Sequence, residues 1–275
     1  MERLQLHGRT LAYDDRGAGD AVLLLHPAFV ADGMRPLLED SALATGRRLA
    51  LYHRRGYGES GAATGPTSVA EQATDALALL DRLGIDRAHL VGHSFGAKVA
   101  LSAPERARTL VLLEPLLLFA LRPETAQVVA DAAGAALPLY EAGDREGAVE
   151  AWLGPAFGPG YREVLERTLP GAFEQAVRDA GTPFGIEVPS LQTWPRSPDD
   201  LRGLTVPVLS IVNEGADWPG FRETHEALVG WSPIATGVVV PTASHLLQIE
   251  QPTAVAAAIA RFLDGYDEKG SSSPR

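Results

Sequence analysis

"HLVGHSFGAK", residues 89–98, sets Gly92 and Gly96 two positions to either side of Ser94, at the end of an apolar run. G-x-S-x-G suits a sharp turn from strand to helix. The serine there takes a strained backbone conformation, and a side chain at either glycine would meet a neighbouring element. Five letters alone arise by chance in many chains. Here the context agrees, because "AHLVGH" (88–93) reads as a buried strand and "FGAKVALSA" as the helix that follows. Ser94 is therefore read as a nucleophile rather than a serine in a glycine turn.

The surrounding chain repeats this alternation. Short runs rich in Val and Leu, "AVLLLH" (21–26), "RLALYH" (48–53), "TLVLLE" (109–114), "VPVLSIV" (206–212) and "TGVVVP" (236–241), read as further buried strands. "RLQLHG" and "RTLAYDD" predict an antiparallel hairpin at the sheet edge. Residues 68–84 have helical periodicity ending at Gly84, and 252–265 run from Pro252 to Gly265 as a last helix. The expected class is α/β, a mostly parallel central sheet of about eight strands covered by helices on both faces. From 116 to 201 no strand pattern appears, only Ala- and Glu-rich helical stretches broken by "GPAFGPG" and "WPRSPDD". The expected organisation is a core of 1–115 and 202–265, a helical lid insertion over 116–201, and a polar, disordered tail at 266–275.

Composition excludes several functions. With 24 Lys and Arg against 35 Asp and Glu the net charge is -11, and no basic run follows a phosphate backbone, so neither nucleic acid nor an anionic membrane is an expected partner. The absence of cysteine removes disulfides and thiolate chemistry. The start "MERLQLHGRT" is charged and "LVLLEPLLLFAL" is too short to span a bilayer, so the expectation is a soluble, cytoplasmic protein.

A serine nucleophile needs a base, and the base needs an orienting acid. Of seven histidines, His245 lies in "PTASHLLQIEQP", between the last strand and the last helix, at the carboxyl edge where sheet loops gather. Asp217, in "EGADWPG" after a strand, is the favoured acid. Glu214 in the same loop and Glu114 at the end of the strand after the nucleophile are the alternatives, because loop length decides which carboxylate reaches the imidazole. The oxyanion donors are expected to be the backbone N–H of Phe95, at a helix start, and that of Ala28 in "HPAFVADG", since Pro27 has no N–H.

With "HPAF", "RRGYGES", "GHSFG", the acid after "PVLSIV" and "ASHLLQIEQP" in this order, the sequence resembles the α/β-hydrolase fold superfamily of serine hydrolases. That resemblance implies an esterase-like enzyme with a Ser94–Asp217–His245 triad, no metal and no cofactor, acting on a small-molecule, largely apolar carboxylic ester of small to medium size. A carbon–carbon bond hydrolase, an acyltransferase or a perhydrolase would use the same triad, and a slow or non-catalytic binding protein is the alternative of another class. Serine at the elbow argues against the branches that need a carboxylate nucleophile. The sequence departs from its relatives in His26-Pro27 for His-Gly, in His53 before Arg54 for an acid, and in a nucleophile helix shorter by roughly one turn of about four residues.

Other features carry less. "GYGESG" (56–61) matches a dinucleotide fingerprint, but "AATGPTS" follows instead of a helix. His89 and His93 sit too far apart on a strand to share an ion. Phe119, Trp152, Phe157, Phe173, Phe184 and Trp194 are candidates to line an apolar pocket or to form the core of the lid. Neither a specific substrate-binding residue nor an oligomeric state is legible.

Overall fold

The computed structural model describes residues 1–6, 8–63, 67–191, 193–215, 218–241 and 244–267. Eight strands form one sheet: β1 (Glu2–Leu6), β2 (Arg9–Gly17), β3 (Asp20–Leu25), β4 (Arg47–Tyr52), β5 (Ala88–His93), β6 (Ala107–Leu113), β7 (Val208–Asn213) and β8 (Ala235–Val240). Their spatial order is β1-β2-β4-β3-β5-β6-β7-β8. β1 pairs antiparallel with β2, and β2 with β4; every later pair is parallel. The expected edge hairpin is present.

Sequence dictates this arrangement through burial. All six residues of β5 and of β7 are buried, as befits strands covered on both faces, whereas β8 at the edge keeps only Val240 fully inside. The helices Val69–Arg82 and Pro252–Leu263 cover the sheet. The first opens with a capping box, in which Ser68 Oγ accepts from Glu71 N–H while the Glu71 carboxylate accepts from Ser68 N–H.

Between β6 and β7 the chain makes a series of helices, among them Pro123–Glu141, Arg145–Phe157, Tyr161–Thr168 and Ala172–Asp179, followed by a π-helical turn at Pro183–Glu187. They share an apolar cluster with Phe29, Val212, Trp218 and Phe221, which lie in or beside connections at the carboxyl end of the sheet. This packing encloses a cavity over the ends of the parallel strands.

Candidate active site

Ser94 follows β5 directly and precedes the helix Phe95–Leu101, with φ 53° and ψ -114°. Its N–H donates to Leu113 O at 2.8 Å, which fixes the turn against the end of β6. A Cβ at Gly92 would overlap the Gly96 carbonyl, and one at Gly96 the Leu25 carbonyl. Backbone lies on the far side of each contact, so neither can give way; the two glycines permit the turn. The helix behind it is short, as expected, yet all seven of its residues are buried. Ser102 closes its end by donating to Lys98 O, and Trp194 Nε1 donates to Ser102 Oγ at 3.1 Å.

His245 is buried, and its Nδ1 lies 2.6 Å from Glu114 Oε2. Phe221 stacks on the imidazole with ring centres 3.9 Å apart, and Phe157 and His93 flank it at 5.4 and 4.6 Å. Glu114 is itself fully buried at the end of β6. Its other oxygen accepts from Asn213 N at 2.8 Å and Asn213 Nδ2 at 2.6 Å. Desolvation pushes the carboxyl up to about 8 against the pull of the Asn213 donors, and pushes the imidazole down to about 3. Both shifts have one cause, a site with little water to stabilise charge.

Of the two described acids among the three weighed from sequence, Glu114 is the one brought to His245. Glu214 is exposed, and Asp217 lies outside the described residues. Donor atoms of His93, Glu114 and His245 come within 4.8 Å of one another. Hydrogen bonds already occupy both Glu114 oxygens, His245 Nδ1, and His93 Nδ1, which accepts from Gln248 Nε2 at 2.9 Å. Glu114 and His245 are joined to each other, while His93 bonds Gln248 and leaves its buried Nε2 without a partner among the described residues.

The loop after β3 is held by His26 and Arg54. With Nδ1 donating to Pro27 O at 2.6 Å and Nε2 accepting from Arg54 N–H at 2.9 Å, His26 is the neutral tautomer, and desolvation lowers its pKa well below the usual value. Phe29, at φ 67°, turns its N–H toward Tyr57 Oη at 3.5 Å, so Ala28 is the candidate left to face the cavity. Phe29, Ser94 and Glu114 are the non-glycine residues with positive φ among the described residues, and all three lie at this site. Strain of this kind costs about 1–3 kcal/mol per residue and concentrates where geometry serves function.

Ser94, Phe95, Ala28 and His245 line one cavity, together with apolar side chains such as Trp152 and Phe157. Its interior of about 60 Å³ is several times the roughly 10–15 Å³ that a single water needs. The other aromatics named from sequence pack elsewhere: Phe119 against Trp194 and Trp231, Phe173 against Tyr161, and Phe184 against Phe29. "GYGESG" has a packing role, since a Cβ at Gly58 would overlap the His53 ring.

Sequence reasoning passed over three residues of this site. Asn213 is the last residue of β7. Lys98, one turn after Ser94, was visible as a lone charge in an apolar helix. Glu187 comes from the distant π-helical turn and gave no local signal.

A profile of the alpha/beta hydrolase family matches residues 22–258, most of the chain. The chain belongs to the alpha/beta hydrolase family. Among curated members it is 39% identical over 108 residues to a putative carbamate hydrolase, RutD, of Azorhizobium caulinodans, a match that takes in 38% of this chain and 40% of that one. Two solved structures resemble it along nearly their whole length. A thermophilic esterase of Thermogutta terrifontis, in a malate-bound form, has a TM-score of 0.75 at 25% identity, covering 97% of this chain and 99% of that one. An enol-lactonase of Burkholderia xenovorans has a TM-score of 0.74 at 22% identity, with 96% and 100% covered. These family likenesses fix the fold and leave the substrate open. Among the described residues no helix is long and apolar enough to cross a membrane.

Proposed function

We propose that this alpha/beta hydrolase family member is a serine hydrolase that cleaves small carboxylic esters through an acyl-enzyme, with Ser94 as nucleophile, His245 as base and Glu114 as orienting acid. The observation that carries this reading is a strained Ser94 on the wall of a cavity that His245, hydrogen-bonded to buried Glu114, also lines. The Phe95 N–H at the helix start and the Ala28 N–H are the donors assigned to the oxyanion. The curated relative named a hydrolase and the structural neighbours named an esterase and an enol-lactonase support hydrolysis of an acyl–oxygen or related bond.

The steps follow from the groups. His245 Nε2 takes the Ser94 proton as Oγ bonds to the ester carbonyl carbon; the tetrahedral intermediate collapses, the carbon–alkoxy bond breaks, and the alcohol leaves with the proton from His245. Water then gives its proton to His245 and attacks the acyl-enzyme, and collapse returns that proton to Ser94 and frees the acid. Throughout, Glu114 stays a carboxylate and accepts from Nδ1–H. The helices between β6 and β7 act as a lid that keeps bulk water from these steps.

Two measurements test the assignment. A fluorophosphonate should label the wild type at Ser94, and p-nitrophenyl acetate hydrolysis should vanish in Ser94→Ala. Glu114→Gln should lower kcat by about 10²-fold or more and Asp217→Asn far less. The opposite ranking would hand the acid role back to Asp217.

A further inference from the structure

Among the described residues, the cavity wall carries one cation, Lys98, and it has no acceptor. Lys98 is 2% exposed, and it lines the same cavity as Ser94. It lies four residues beyond Ser94 in the helix Phe95–Leu101, and side chains on a helix lean toward its N-terminus, here the Ser94 end. Its Nζ lies 5.9 Å from the ring centres of both Phe95 and Trp194, at the far limit of cation–π contact. The nearby carboxylate is already engaged. Glu187 takes Arg54 and Gln72 on one oxygen and Tyr57 Oη, at 2.6 Å, on the other. Among the described residues, Lys98 Nζ donates no hydrogen bond.

Arg54, Lys98 and Glu187 therefore place two cations against one anion in an apolar interior. Burial opposes this surplus and pushes the Lys98 ammonium down to about 7, with Glu187 pulling the other way. A second carboxylate in the cavity would balance the charge and give Nζ its acceptor.

We propose that Lys98 is a specificity-determining residue that binds a carboxylate on the acyl portion of the substrate, so that the preferred substrates are monoesters of short dicarboxylic acids. This deepens the serine-hydrolase reading and rests on it. Ser94 and Lys98 line one small cavity, so the carboxylate belongs a few carbons beyond the carbonyl under attack, and a glutaryl group serves as the probe.

The test compares monomethyl glutarate with methyl pentanoate, whose leaving groups are identical, in wild type, Lys98→Met and Lys98→Arg. Wild type should prefer the monoanion by at least tenfold in kcat/KM. Lys98→Met should erase that preference, chiefly through KM for monomethyl glutarate, so that the ratio of the two kcat/KM values falls to about one, and Lys98→Arg should restore part of it. Equal losses on both substrates in Lys98→Met, or a wild-type preference for methyl pentanoate, overturn the proposal. A variant-free readout guards against misfolding: glutarate should inhibit p-nitrophenyl acetate hydrolysis by wild type more strongly than pentanoate, and equal inhibition counts against Lys98. Loss of the serine-hydrolase reading would look different, as p-nitrophenyl acetate hydrolysis that is absent or survives Ser94→Ala. Hydrolysis that needs Ser94 but ignores the carboxylate overturns the Lys98 assignment alone.

Discussion

Glu114 combines three properties that rarely meet in one side chain: complete burial, a positive φ of 43°, and a hydrogen bond to a histidine that lines a cavity. Its protonation decides which way the imidazole faces. As a carboxylate it accepts from Nδ1–H and leaves Nε2 free to take a proton from Ser94. As a carboxylic acid it would donate to Nδ1 instead, moving the imidazole proton to Nε2, where it blocks the reaction. Since burial raises this carboxyl toward about 8, ester hydrolysis by the free enzyme should fall as pH drops through that region. Asn213→Leu removes one N–H donor that favours the carboxylate, so the acid limb of the kcat/KM profile should move up by about one pH unit. A limb that stays put, or moves down, would show that Glu114 does not govern it.

At the scale of the element, the turn into the helix Phe95–Leu101 is fixed by close backbone packing at both of its glycines. Gly96→Ala forces a methyl onto the Leu25 carbonyl, which belongs to β3 and cannot withdraw without breaking its ladder; about 1–3 kcal/mol of stability should be lost. Gly134→Ala is the matched control. It lies inside Pro123–Glu141 with open space around it, and should raise stability by about 0.4–1 kcal/mol. Urea titration of both variants reads the contrast, and a Gly96→Ala protein as stable as Gly134→Ala would refute the packing account. Most of this architecture was legible beforehand, because strands buried on both faces announce themselves as unbroken Val and Leu runs. "AHLVGH" coincides with β5, and the two N-terminal pieces form the expected hairpin at the sheet edge. The identity of the acid was not legible. It depends on how the chain turns at Glu114 and on Asn213 from the adjacent strand, contacts that no local pattern records. Nor was the pairing of Arg54 with Glu187, which links residues 133 positions apart.

Across the whole molecule, that pair is a charged tie between the sheet and the helices above it. Arg54 follows β4 and also donates to His26 O and Pro27 O, while Glu187 sits in the π-helical turn. Removing the carboxylate strands a fully buried guanidinium, which costs about 3–5 kcal/mol. Glu187→Leu should therefore lower the urea midpoint sharply, and double replacement of Arg54 and Glu187 by apolar residues of similar size should recover much of the loss. If the single variant is as stable as wild type, the tie carries no weight.

The sheet also settles how firmly the reacting groups are spaced. Ser94 N–H donates to Leu113 O, and Glu114 N–H donates to Ile211 O, so nucleophile and acid are pegged to neighbouring ladders, β5–β6 and β6–β7, of one sheet. His245 alone rides on a connection, after β8. Gentle heating should thus disarm the base while the other two groups keep their distance. Activity lost in that interval would return on cooling, well before the ladder itself comes apart.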